Sequence, residues 1–72
     1  MVMDNVELGN IIRARRKVLR LTIGDLSDYT GLSRTTISDI ELAKTNPRFD
    51  VLLEIFQFLN LEMKIEVKEI NV

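Results

Sequence analysis

Arg34, Thr35, Ser38 and Asp39 fall on one face of a short helix pattern that opens after Ser33, while Ile37 and Ile40 point the other way. Short polar side chains near a helix N-terminus can reach base edges in a DNA major groove, and an arginine there can pair bidentately with guanine. The same face also serves as a plain hydrophilic surface on a small helical domain. A second group is cationic: Arg13, Arg15, Arg16, Lys17 and Arg20 crowd one stretch. That stretch is either a solvated helix face or a clamp for phosphate or a partner. Composition removes other chemistries. The chain has no Cys and no His, which excludes zinc sites, disulfides, thiol nucleophiles and histidine bases. Among the remaining carboxylates and hydroxyls there is no Gly-rich phosphate loop and no pair of acids bracketing a cleft, so neither an enzyme nor a cofactor is expected.

A chain of 72 residues, 46% hydrophobic and 29% charged, is one globular domain spanning residues 1–72 and too small to divide its core. Its 10 Lys and Arg against 11 Asp and Glu leave a net charge of −1, a poor match to a nucleic-acid binder taken as a whole. The distribution is polar, however, because Glu54, Glu62, Glu66 and Glu69 load the C-terminal part and leave the cations near the start. The opening MVMDNVEL lacks the basic and apolar regions of a signal peptide, and the apolar runs are too short to span a bilayer. A cytoplasmic location away from membranes is expected.

The elements that position these residues are helices. Asp4 and Glu7 have capping-box spacing and predict a first helix over about 6–19, in which Gly9 is a mild penalty. Thr22 and Asp25 form a second capping box, and a second helix runs to about Tyr29 with Ile23, Leu26, Ser27 and Thr30 on one face. Gly31 ends it in a left-handed turn, Leu32 fills the core, and Ser33 caps the third helix. A three-residue turn followed at once by a cap favours a helix-turn-helix over a plain surface. Asn46 and Pro47 mark a loop, after which Asp50 is expected to cap a fourth helix from Val51 to about Asn60. Its stripe is Leu52, Ile55, Phe56 and Leu59. Val51 and Phe58 on one flank and Leu53 on the other make it apolar beyond the needs of a monomer, which points to a dimer contact. Over residues 61–69 the period changes. Leu61, Met63, Ile65 and Val67 alternate with Glu62, Lys64, Glu66 and Lys68, the pattern of a half-buried strand whose one available mate is the same strand in a second copy.

These residues resemble the Cro and phage-repressor type of helix-turn-helix, the XRE family. The resemblance runs from about Leu8 to Leu61 and is carried by IRARRK (12–17), LT (21–22), DLSDYTGLS (25–33), TISDIE (36–41) and Pro47 ahead of a helix containing LLEI. The tail LNLEMKIEVKE is similar to that of HipB-type antitoxins, in which such a strand pairs between subunits. The resemblance implies a mainly α, lambda-repressor-like domain of four to five helices with a C-terminal β-strand pairing across a homodimer. It implies that Arg16 is buried against Glu41, that Ser33, Arg34, Thr35, Ser38 and Asp39 read bases or phosphates, and that Thr22 and Lys44 contact the backbone. Arg13 in the basic stretch is a further phosphate contact, and Val51, Phe58, Met63, Ile65 and Val67 are the dimerisation residues. Two departures remove polar contacts: Ile23 and Gly24 stand where Gln and a better helix former are usual, and Leu42 and Ala43 stand where Arg or Asn and then Gly are usual. Without that glycine, the third helix is expected to run on. The resemblance implies a dimeric repressor that reads an inverted repeat in double-stranded DNA and acts as the antitoxin and autorepressor beside a kinase-like toxin. The two departures keep open a protein-interaction module of the same fold with weak or no DNA binding. A stand-alone phage-type repressor is a further alternative.

The charges on the last segment select a register. With the two-fold axis at Ile65, Glu62 faces Lys68 of the second copy and Lys64 faces Glu66; a shift of one residue sets like charges opposite each other. Each such pair matters by roughly 0.2 to 1 kcal/mol. A structure of the dimer is expected to show antiparallel pairing centred on Ile65, and a different centre, or no strand contact, would overturn the assignment.

Overall fold

Asp4 opens the first helix by accepting a hydrogen bond from the Glu7 amide at 2.8 Å, and the computed structural model, which describes residues 4–64, continues from it as four helices. They are α1 (Asn5–Val18), α2 (Ile23–Thr30), α3 (Arg34–Glu41) and α4 (Phe49–Leu59). Helices α1 and α2 each pack on both α3 and α4. Thr22 and Asp25 cap α2 reciprocally, the Thr22 amide donating to Asp25 Oδ2 at 2.9 Å and the Asp25 amide to Thr22 Oγ1 at 3.0 Å. Ser33 caps α3 by accepting from the Thr36 amide at 3.0 Å. The start of α4 differs from the expected one. The helix begins at Phe49 behind Arg48, which makes no side-chain cap bond, and Asp50 sits inside the first turn with its carboxylate 3.4 Å from Arg48 Nε. A carboxylate in a first turn is favoured by the helix dipole without being the cap.

Three helices end on residues with left-handed backbones that are not glycine: Arg20, Ala43 and Asn60, at φ 59°, 57° and 56°. Each is accompanied by the same pair of bonds. For α3, the Ala43 amide donates to the Ile40 carbonyl at 3.2 Å and the Lys44 amide to the Asp39 carbonyl at 2.8 Å. This is the Schellman pattern, which satisfies carbonyls the helix end would otherwise leave unpaired. So α3 does not run on. Ala43 takes the left-handed position that glycine would take, and the bonded turn outweighs the strain on its Cβ.

The core is Leu8 and Ile12 from α1, Leu26 from α2, Ile37 and Ile40 from α3, and Leu52, Ile55, Phe56 and Leu59 from α4, with Leu21, Ile23, Leu32, Val51 and Leu61 packed around it. Two charged side chains are buried with it. Arg16 Nε donates to Glu41 Oε2 at 2.8 Å, its Nη2 to Glu41 Oε1 at 2.9 Å, and its Nη1 to the Leu21 carbonyl at 2.9 Å. Gly9 is not a mere penalty. A Cβ there would lie 2.5 Å from the Glu41 carbonyl oxygen and 2.7 Å from that of Ile40, so its absence is what lets α1 approach the end of α3.

The excess of apolar surface on α4 is partly used within the chain, where Phe58 stacks on Tyr29 of α2 with ring centroids 5.9 Å apart and planes 14° apart. Val51 is half-buried against the core, whereas Phe58, Leu53 and Met63 remain exposed. Of the expected strand, residues 61–64 have no regular secondary structure, and Ile65 and Val67 lie outside the described residues. Among the described residues the fold is therefore all helical.

Two substitutions separate these backbone constraints. Gly9→Ala is expected to destabilise by about 1 to 3 kcal/mol, because backbone carbonyls rather than a flexible side chain must move. Ala43→Gly is expected to stabilise by about 0.5 to 1 kcal/mol, the relief of left-handed strain less the greater freedom of glycine in the unfolded chain. Urea denaturation checks both, as shifts of midpoint at constant slope.

Candidate nucleic-acid interface

The turn between α2 and α3 is closed by its own side chains. Gly31 at φ 77° returns its amide to the Ser27 carbonyl at 2.9 Å. The Ser27 hydroxyl donates to the Leu32 carbonyl, and Thr30 Oγ1 donates to the Leu26 carbonyl at 2.7 Å while accepting from the Leu32 amide at 3.2 Å. Leu32 is thereby drawn against the core and Ser33 is set to start α3. The result is two short helices in fixed relation, with Ser33, Arg34 and Thr35 exposed on the first turn of α3. Ser38 and Asp39, one turn on, are half-buried.

Two open hollows border this helix. One, of about 760 Å³, is lined by Arg16, Lys17, Arg20, Leu21, Thr22, Ile23, Gly24 and Arg34. The other, of about 220 Å³, is lined by Arg13, Arg16, Ile23, Ser38, Glu41 and Leu42. Arg16 and Ile23 border both, so the hollows are neighbours on one surface that carries Arg13, Lys17, Arg20 and Arg34. Among the described residues, none of these four cations lies within 4.0 Å of a carboxylate. Ile23, which packs on the core, borders both hollows where the resemblance implies a Gln. Arg34 lies close over Gly24: a Cβ there would be 2.8 Å from its Nη2.

The charges are not equivalent. The hydrogen bond to Glu41 raises the Arg16 pKa above its usual value, so this arginine is a permanent structural cation and not a free ligand for phosphate. Hydrogen bonds from Thr22, its backbone amide first and its hydroxyl second, hold the Asp25 carboxyl below the usual carboxylate range, and the charge of Arg34 adds to them. The fold sets Thr22 and Arg34 beside one hollow and Arg13 and Ser38 beside the other. Thr35 is exposed nearby, Asp39 is held by its carbonyl in the turn after α3, and Lys44 is exposed at the end of that turn. The oxygens of Thr22 and Ser33 already accept cap bonds, which orients both and leaves less for a ligand. Arg15 departs from the basic cluster altogether. Its Nε donates to the Leu59 carbonyl at 2.9 Å and so satisfies the end of α4 from α1. Nothing in the local spacing distinguishes Arg15 from Arg13, since the acceptor lies 44 positions away. Lys17, Arg20 and Gly24 belong to the surface too, and for Gly24 the signal was its unfavourable place near a helix start.

Residues 12–65 match the HTH_3 family, described as Helix-turn-helix. The chain belongs to this helix-turn-helix family. Its resemblance to the XRE or Cro type is thereby established, and the family is one of DNA-binding transcriptional regulators and not of enzymes. Among the chain's relatives, the ImmF control region 10 kDa protein of Bacillus phage phi105 is 32% identical over 72 residues, 99% of this chain and 80% of the phage protein. A protein of Methanococcus maripaludis, provisionally named an HTH-type transcriptional regulatory protein, is 30% identical over 64 residues, or 89% of this chain. The chain spans only 19% of that relative's length. The fold is shared with two solved structures, a HipB–O2 20mer complex and a HipA–HipB–O2–O3 complex, each at TM-score 0.82 and 23% identity over 96% of this chain, and over 96% and 97% of the matched chains. Within the described residues no helix is long and apolar enough to cross a membrane.

The capping carboxylate gives the helix-turn-helix a pH dependence of known sign. Because the native pKa of Asp25 is lowered, its contribution to stability is fully present above the unfolded value of about 4 and is lost as pH falls through the native one. The stability difference between the chain and Asp25→Ala is expected to be constant from neutral pH down to about pH 4 and to shrink below it. Urea titrations of both proteins at stepped pH check this.

Proposed function

We propose that the chain is a dimeric, sequence-specific repressor that binds an inverted repeat in double-stranded DNA. The observation that carries this reading is the exposed first turn of α3, in which Thr35 faces solvent and Arg34 shares a hollow with Lys17 and Arg20. Arg34, Thr35, Ser38 and Asp39 are the base-reading residues in this proposal, and Thr22, Ser33, Lys44 and Arg13 hold the phosphate backbone. Concentrating Arg13, Lys17, Arg20 and Arg34 on one side makes the local charge basic although the chain as a whole is at −1, and it is the local charge that phosphates meet. Dimerisation through Val51, Phe58, Met63 and the segment containing Ile65 and Val67 would set two α3 helices about one DNA turn apart, ~34 Å.

Within this reading, the finer assignment is the antitoxin and autorepressor of a toxin pair. Its support is the shared fold with chains of the HipB–O2 20mer and HipA–HipB–O2–O3 complexes. A second assignment, a stand-alone phage-type repressor, is favoured by a different observation: the phage control-region relative matches nearly the whole chain at 32% identity. Co-purification with the product of the adjacent reading frame separates the two. A stable complex with a kinase-like protein supports the antitoxin, and an uncomplexed dimer that shifts its own promoter DNA supports the lone repressor.

Arg34→Ala is expected to cost about 1 to 3 kcal/mol on the specific site and to relax preference at one base pair. Arg13→Ala, at a phosphate, is expected to weaken specific and random duplexes alike and to reduce the dependence of log K on log salt by about one unit. Fluorescence anisotropy across a salt series checks both, and equal losses on specific and random duplex for Arg34→Ala would count against base readout.

A further inference from the structure

We infer that Gly24 is a specificity-determining position, because the space left by its missing side chain is the seat in which the Arg34 guanidinium rests. The inference rests on the reading of α3 as the DNA-reading helix. A Cβ at position 24 would stand 2.8 Å from Arg34 Nη2, 3.1 Å from Cζ and 3.4 Å from Nε, so the guanidinium itself occupies the volume a side chain would take. Gly24 lies in the first turn of α2 and Arg34 at the start of α3, so the contact crosses from one helix of the motif to the other. Lys17 and Arg20 line the same hollow as the arginine, and Asp25 lies near enough to feel its charge without forming an ion pair within 4.0 Å. Arg34 is thus seated by shape and not by an ion-paired partner among the described residues. Its N–H donors stay available to a base.

An arginine that starts in one orientation loses less rotamer freedom when it docks on a base, and its direction of approach is selected in advance. Inside a helix, glycine costs up to about 1 kcal/mol relative to alanine. Gly24 keeps α2 weaker than it need be and gains a fixed position for the side chain opposite. Gly24 is a positioning residue, acting on DNA through Arg34.

The test uses the intact chain, its Gly24→Ala and Arg34→Ala variants, and the double variant. The probes are a duplex selected from a random library for binding to the chain, its single-base-pair variants, and unselected duplex. Gly24→Ala is expected to fold with an equal or higher Tm, since the atoms it crowds are the far end of a flexible side chain. It should lose discrimination at the same base pair that Arg34→Ala relaxes, by up to roughly 5- to 150-fold, the range of a lost bidentate contact. Affinity for unselected duplex should be unchanged, and in the Arg34→Ala background Gly24→Ala should have no further effect. An equal loss in both backgrounds would mean that Gly24 acts independently of Arg34, which overturns the inference. If Arg34→Ala itself leaves discrimination intact, it is the DNA-reading role of α3 that fails. The seat is then judged separately by the Arg34 Nε–Hε NMR signal of the DNA-free protein. Gly24→Ala should shift that signal and raise its mobility, and an unmoved signal overturns the seat as well.

Discussion

The bidentate pair between Arg16 and Glu41, with the third arginine bond to the Leu21 carbonyl, is the constraint on which the other packing depends. Both side chains are buried, and a buried pair is a weak net stabiliser because desolvation offsets most of the attraction. Its effect is on arrangement. Removal of either partner leaves an uncompensated charge in the core, commonly about 3 to 5 kcal/mol. Any packing that separated the end of α3 from the middle of α1 would carry the same penalty. Glu41 also stands at the C-terminal end of its helix, where the dipole disfavours a carboxylate, so the cation is needed there twice over. Gly9 completes the junction nearer the start of α1, where the Glu41 carbonyl comes too close for any Cβ. One helix end is thus fixed to α1 by a side-chain pair and by direct backbone approach.

From that junction the exposed surface follows. With α3 anchored at its C-terminal end and its start set by the closed turn at Gly31, its first turn presents Arg34 and Thr35 to solvent. The cations divide by what the fold does with them. Arg16 is a core residue, Arg15 terminates α4, and Arg13, Lys17 and Arg20 remain beside the hollows around Ile23. A stretch of five basic residues therefore offers only Arg13, Lys17 and Arg20 to a phosphate, and the balance near neutrality of the whole chain conceals a surface that is locally basic.

How much could be read without coordinates varied with the range of the interaction involved. The caps at Asp4, Thr22 and Ser33 and the break at Gly31 were legible because each is a contact within three or four residues. The stop at Asn60, a left-handed cap residue, is legible to within a residue for the same reason. The end of α3 was not legible, since Ala43 has no intrinsic preference for a left-handed backbone and is held there by the bonds of the turn it sits in. Asp50 has the residue type of a cap, although its actual place is inside the first turn, where the same charge still helps. Phe58 shows the limit for surfaces: its exposure is real, but a stack on Tyr29 already covers part of the ring.

The amino-acid sequence by itself determined the four helices, the stripe of Leu and Ile that forms the core, the helix-turn-helix at residues 22–41 and its outward polar face. These rest on period, capping and turn chemistry, which act over a few residues and so are written along the chain. Only the tertiary structure decided that Gly9 permits helix contact, that Arg15 belongs to α4, that Ala43 can end α3, and that Arg34 lies over Gly24. Each of those depends on a group brought close from another element of the fold, or on a backbone strain that the rest of the fold over-determines. Local pattern carries no information about such neighbours, because the energy that selects them appears only once the helices are packed.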